Sequence, residues 1–374
     1  MNKGITREGM IRAESAWEVI ESPSWVTISP TSGERKSVVS ITVHPQAVGE
    51  PTREGKVVFS LKDKNYTTYM DIRQIGTEVG EDETVVLQTA TANVAKAIPM
   101  FIVGDGYGAE EVANGQYLED MRQQVEHIFS IEPMRSYRDY FTVSTAYAVS
   151  PEEGIGGVNK FSQEYVNNLH GDDNLVLEYA RAHGVGIAGN EDSATVLVLC
   201  NTDITANSLT MHDNGFAISW MGKSQSPYPY DQQGYVLHEF VGRAFGKLGP
   251  ETVNHFTFIE ACNCPGCNMN AEYERAMKNG WWKNISRTNK LKLLPWYHLI
   301  FHEKYASLVD IFEGACGHSR GAYRSEAQSV MGNAYIYYFN TISRELLVRR
   351  IKECAGEQFD FEDFVSKDII ELPE

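Results

Sequence analysis

From Trp17 to Ile75, apolar and polar residues alternate in short runs: WEVI, WVTIS, SVVSITV, GKVVFSL and YTTYMDIRQI. Residues two apart share one face of a strand, so each run reads as a half-buried β-strand. Pro-Thr-Ser-Gly and Val-Gly-Glu-Pro separate the runs with turn-forming residues. Short strands at this spacing predict an all-β, immunoglobulin-like sandwich over residues 1–79. The acidic stretch Gly80-Glu81-Asp82-Glu83-Thr84 is the expected link to a second domain over 84–374.

Past the link the period changes. Ile98–Val103 is a continuous apolar run that ends in Gly104-Asp105-Gly106-Tyr107. Apolar positions at helical spacing follow from about 115 to 130. Phe141–Val149 and Ala194–Asn201 predict further buried strands, with a helix near 161–183 between them. Strands that alternate with helices indicate a layered α/β domain.

Composition excludes some functions. The formal charge is −17, and no basic face of the kind nucleic acids require is evident. No apolar stretch is long enough to predict a membrane span. The first residues, MNKGITREGM, are polar and do not read as a signal segment. Six cysteines lie at 200, 262, 264, 267, 316 and 354, too few for a disulfide scaffold in a chain this long. Cys262, Cys264 and Cys267 form a tight run near His255 that reads as a metal knuckle or as a disulfide, within the run or from it to Cys316.

The chemistry concentrates in Gly234–Glu251, which reads GYVLHEFVGRAFGKLGPE. A zinc-peptidase helix presents two histidines one turn apart, with a glutamate beside the first. Zinc polarises a bound water and the glutamate takes its proton. His238-Glu239 supplies the first pair, but Gly242 and Arg243 stand one turn on. Arginine stays protonated and does not ligate zinc.

A set of segments surrounds this helix in order: Gly104–Tyr107, Phe129-Ser130-Ile131-Glu132-Pro133, Arg138–Val143, Pro295-Trp296-Tyr297-His298, Phe312-Glu313-Gly314, Gly321-Ala322-Tyr323-Arg324, Ser329-Val330-Met331, Phe339-Asn340 and Ser343-Arg344-Glu345. With these segments the chain from about residue 84 resembles the IgA-peptidase family of zinc metallopeptidases. The resemblance implies a metzincin-like α/β domain with its active helix at about 232–246 and a methionine turn at Met331. It also implies that Glu239 is the general base and His238 a zinc ligand. Tyr323 is a candidate oxyanion donor, and Glu251 a candidate replacement ligand. The family's second histidine falls on Arg243 and a further ligand on Pro250, so the motif is degenerate. The expectation is that the Arg243 guanidinium takes the metal's place and pairs with Glu239 or Glu251.

Residues 12–78 are similar to a BACON domain, through Trp25–Gly33, Arg53–Phe59 and Ile72–Gly76. That resemblance implies a small immunoglobulin-like module outside the cytoplasm, secreted, periplasmic or surface-anchored, with glycans as possible ligands; Trp25 reads as a core residue or a sugar-stacking one. The expected function is that of a zinc-peptidase relative acting on protein or glycoprotein, with reduced or no hydrolysis. The alternative is a non-catalytic protein- or glycan-binding protein. Zinc is the expected cofactor if the chain is active, and none if it is not.

Overall fold

The alternating runs become strands. In a computed structural model of the chain, residues 5–46, 53–74, 80–162, 169–224, 232–259 and 269–373 are described. Strands β1 (Ile5–Arg12), β2 (Trp17–Glu21), β3 (Val26–Ser29), β4 (Ser32–Gly33), β5 (Lys36–Val43), β6 (Arg53–Leu61) and β7 (Thr67–Gln74) come first. They make two sheets, ordered β1-β5-β3 and β4-β2-β6-β7, whose pairings are all antiparallel. In β3, Val26 and Ile28 are buried while Thr27 and Ser29 are exposed. Trp17, Val26, Ile28, Val39 and Val57 form the core of this region. Trp17 is 1% exposed. Trp25 is half-buried, and the Arg53 guanidinium lies 4.7 Å from its ring centroid. The sequence gives no sign of β1, because ITREGMIR is mostly polar. It forms through ladder bonds to β5, in register from Ile5 opposite Val43 to Arg12 opposite Lys36.

The chain divides into two compact units: Met1–Glu81 with Gly108–Glu119, and Asp82–Tyr107 with Asp120–Glu374. The second unit is mixed α/β. Its main sheet contains β8 (Thr84–Gln88), β9 (Ile98–Asp105), β10 (Phe141–Ala146), β11 (Thr195–Cys200), β12 (Asn207–Met211) and β13 (Ala217–Gly222). The order is β12-β13-β11-β9-β10-β8. The four inner strands run parallel, and the two edges, β8 and β12, run antiparallel to their neighbours. β9 and β11 are buried along their whole length, which is why both read as unbroken apolar runs. The strand expected over 141–149 ends at Ala146, where its antiparallel partner β8 begins at Thr84.

In the sequence, helices α1 (Ala109–Ala113) and α2 (Gln116–Ile128) fall between β9 and β10, and α3 (Asp173–His183) between β10 and β11. α3 starts where Asp172 accepts bonds from the Asn174 and Leu175 amides, satisfying two orphan donors. Its buried Val176, Tyr179 and Ala180 pack with Phe101, Val196, Ile218 and Trp220 from the sheet. Next comes α4 (Gln232–Tyr235), which continues as a π-helix over Val236–Phe245. A second sheet, ordered β14-β16-β15, is built from β14 (Val253–Phe258), β15 (Phe312–Ala315) and β16 (Gly317–Arg324). Helices α5 (Met269–Lys278), α6 (Tyr297–Ile300), α7 (Thr341–Cys354) and α8 (Phe361–Lys367) complete the described chain.

Candidate functional site

The segment singled out by His238-Glu239 is helical, but it is wound as a π-helix. The Gly246 amide donates to the Val241 carbonyl five residues back, at 2.9 Å. In i→i+5 winding each residue turns the chain by less than in an α-helix, so residues five apart come closer to a shared face. That brings Arg243 onto the face that carries His238, a position that α winding would turn away.

Gly242 sits against Met331. A Cβ at Gly242 would overlap Met331 Sδ, so the turn at Met331 reaches the helix only because residue 242 has no side chain. Met331 is fully buried. Its carbonyl accepts from the Glu251 amide at 2.8 Å and lies 3.2 Å from His238 Nε2. One turn thus touches the helix, the imidazole and the segment after the helix.

The polar atoms of the site are mostly committed to one another. Arg243 Nη1 donates to Glu239 Oε2 at 2.9 Å, and His238 Nδ1 lies 3.2 Å from Glu239 Oε1. Burial alone would raise the Glu239 carboxyl, but Arg243 and His238 beside it hold it down to about 2. Glu251 is 2% exposed. Its carboxylate accepts from Ser329 Oγ at 2.6 Å, from Asn284 Nδ2 at 3.0 Å, and from Asn340 Nδ2 at 3.0 Å to each oxygen. Burial pushes the Glu251 carboxyl up, and those donors, with the Arg324 charge, pull against it.

His238, Glu239, Arg243 and Pro250 line one cleft of about 630 Å³. Tyr235, Thr252, Asn254, His255, Asn333 and Tyr335 line it too. Of these six, the sequence singles out only His255, as a neighbour of the cysteine run; the others carry no recurrent spacing. Tyr323 does not line this cleft. Its backbone bridges Ser286 in both directions, and its side chain packs against the buried cluster that includes Trp296 and Leu299. Glu251 faces its three donors and is likewise absent from the cleft wall. Cys262, Cys264 and Cys267 lie outside the described residues. Gly104–Tyr107 forms a structural turn: Asp105 accepts from Ser150 Oγ at 3.1 Å and from the Phe161 amide at 3.2 Å.

These donors do not fit a catalytic zinc. The metal needs three lone-pair ligands and one open position. Each ring nitrogen of His238 already lies 3.2 Å from a protein oxygen, Glu239 Oε1 on one side and the Met331 carbonyl on the other. Arg243 is a fixed cation, and the Glu251 carboxylate is occupied by side-chain donors. Among the described residues, no group of three or more His, Cys, Asp or Glu is placed to hold a metal ion. No helix among them is long and apolar enough to cross a membrane.

Comparison with known proteins gives two family matches. Residues 85–169 match the model of IgA Peptidase M64, a metallopeptidase family. Residues 15–75 match the BACON model, described as "Putative binding domain, N-terminal". No curated protein matches the chain. Among solved structures, a Bacteroides ovatus GH5 xyloglucanase in complex with a XXXG heptasaccharide matches at 20% identity and a TM-score of 0.19. That match covers 27% of this chain and 23% of the xyloglucanase, and it carries no structural argument. The chain therefore joins a segment matching the BACON domain to a segment matching the IgA peptidase M64 family.

Proposed function

We propose that this chain is a non-hydrolysing relative of the zinc peptidases, which keeps the peptidase cleft to bind protein or glycoprotein. In this reading residues 1–79 are the BACON-like domain, with glycans as candidate ligands, and 84–374 are a metzincin-like peptidase domain. The chain acts outside the cytoplasm, in keeping with both resemblances.

One observation carries the reading. The guanidinium of Arg243, at the position where the resemblance puts a metal-binding histidine, donates to Glu239 at 2.9 Å. A general base works best with a pKa near the operating pH. A carboxylate held at about 2 by a neighbouring arginine accepts protons poorly at neutral pH. The same charge repels a divalent cation. Arg243 thus replaces the charge of a metal without its Lewis acidity or its bound water.

The test is elemental analysis of protein purified without chelator, beside a casein-digestion assay. The expected result is far less than one zinc per chain and no cleavage. Stoichiometric zinc that is lost in His238→Ala, together with cleavage, would return the chain to the active peptidases.

A further inference from the structure

The helix that carries His238 ends at a second cleft, of about 440 Å³. The second cleft shares no lining residue with the first, and its walls lie wholly in the second compact unit. Lys247, just past the helix, lines it and is 6% exposed. Its Nζ donates to the Gly215 and Ala244 carbonyls and lies 5.6 Å from the Trp281 ring centroid. Those partners are carbonyls and an indole face, whereas a buried charge is ordinarily matched by an opposite one. Burial, and then the Arg350 charge, lower the Lys247 amine to about 7, as befits a cation short of a counter-charge. Two further buried donors belong to residues of the same wall. Trp282 Nε1 and Arg350 Nε have no hydrogen-bond partner among the described residues. A buried donor without an acceptor costs free energy, and a bound group is one way to satisfy it. Of the other charges in the wall, Asp213 is taken up by Arg275, and Arg349 by Glu345. That leaves Lys247, Lys283 and Arg350 against Asp192 and Glu353, an excess of one positive charge in a chain of net charge −17.

We infer that this second cleft binds an acidic sugar, one with a single carboxylate and free hydroxyls, its carboxylate beside Lys247 and Arg350 and its ring against Trp281. The carboxylate supplies the counter-charge that Lys247 lacks and acceptor oxygens for a wall rich in donors. Trp281, which is half-buried, and Leu346 offer apolar cover to the carbon face of the ring. Asp192 and Glu353 are exposed; they accept from hydroxyls, and their charge disfavours a doubly charged anion such as a phosphate ester. The volume suits one sugar ring. The inference holds whether or not the cleft at His238 binds protein, and its failure would leave that reading untouched.

The test titrates the full chain by calorimetry with glucuronic acid and with N-acetylneuraminic acid, beside glucose and inorganic phosphate as controls. At least one of the two acids is expected to bind with about millimolar affinity, and both controls more weakly by about tenfold or more. Lys247→Met and Trp281→Ala are each expected to weaken binding of the acid about tenfold or more. Lys247→Met removes a buried charge that has no counter-ion, so its melting temperature is expected to be no lower than that of the parent, which separates lost binding from lost folding. Trp281→Ala, at a half-buried position, is the second variant should the first fail to fold. The inference is overturned if neither acid binds, if glucose or phosphate binds as tightly as the acids, or if binding is indifferent to the substitutions in folded protein.

Discussion

Glu239 and Glu251 stand twelve positions apart in sequence and behave oppositely, for reasons local to each. Glu239 has a cation within hydrogen-bond reach, and its folded pKa of about 2 lies below the ordinary 4.5. A carboxyl depressed on folding adds stability that is present above about pH 4.5 and is lost as pH falls toward 2. Glu239→Gln is therefore expected to lower unfolding stability at pH 7 by on the order of 3 kcal/mol. In urea titrations the gap to the parent protein should narrow steadily between pH 5 and pH 3. A gap that does not depend on pH would show that the ion pair is not its source. Glu251 has no cation in hydrogen-bond contact; neutral donors surround it, and its pKa is raised. Glu251→Ala strands the hydroxyl of Ser329 and the amides of Asn284 and Asn340, and should cost roughly 3 kcal/mol or more. Glu251→Gln keeps the shape and two polar atoms, and should cost about 1 kcal/mol. Equal losses in thermal melts would refute the role of Glu251 as a hydrogen-bond hub.

At the scale of the element, the π-helix decides which residues meet. His238 and Arg243 are five apart, and they share a face because the winding is i→i+5. The same winding would let histidine at 243 stand over His238. Arg243→His combined with Pro250→Asp is expected to give stoichiometric zinc at micromolar metal, about 8 kcal/mol of binding free energy. Calorimetry showing no zinc uptake in a folded double variant would mean that the cleft lost more than these two ligands. The helix also depends on Gly242. Gly242→Ala drives a methyl group into the buried Met331 side chain and should cost about 1–3 kcal/mol.

Across the whole molecule, several segments that carry the resemblance turn out to be joints between elements. Arg344 of α7 is buried and donates twice to Asp368, at 2.7 and 2.9 Å, and once to the Phe339 carbonyl. Its neighbour Glu345 holds His298 at 2.7 Å, and Trp296 donates to the Asp310 carbonyl. Asp368→Ala leaves a buried guanidinium without its carboxylate and should cost about 3–5 kcal/mol in denaturant titrations. The sequence by itself determined the strands of the N-terminal region, the apolar strands β9 and β11 and the helix at His238. Each of these is written in local period or in residue chemistry, whereas the reading of Arg243 and Pro250 as replaced ligands rests on the family resemblance. It did not reveal β1, which exists through pairing with β5, or the separate fates of Tyr323 and Tyr335. Only the tertiary structure decided that Arg243 pairs with Glu239 and that Glu251 is taken up by Ser329, Asn284 and Asn340. Those outcomes depend on residues far apart in the chain, whose partners are set by packing and leave no trace in local spacing.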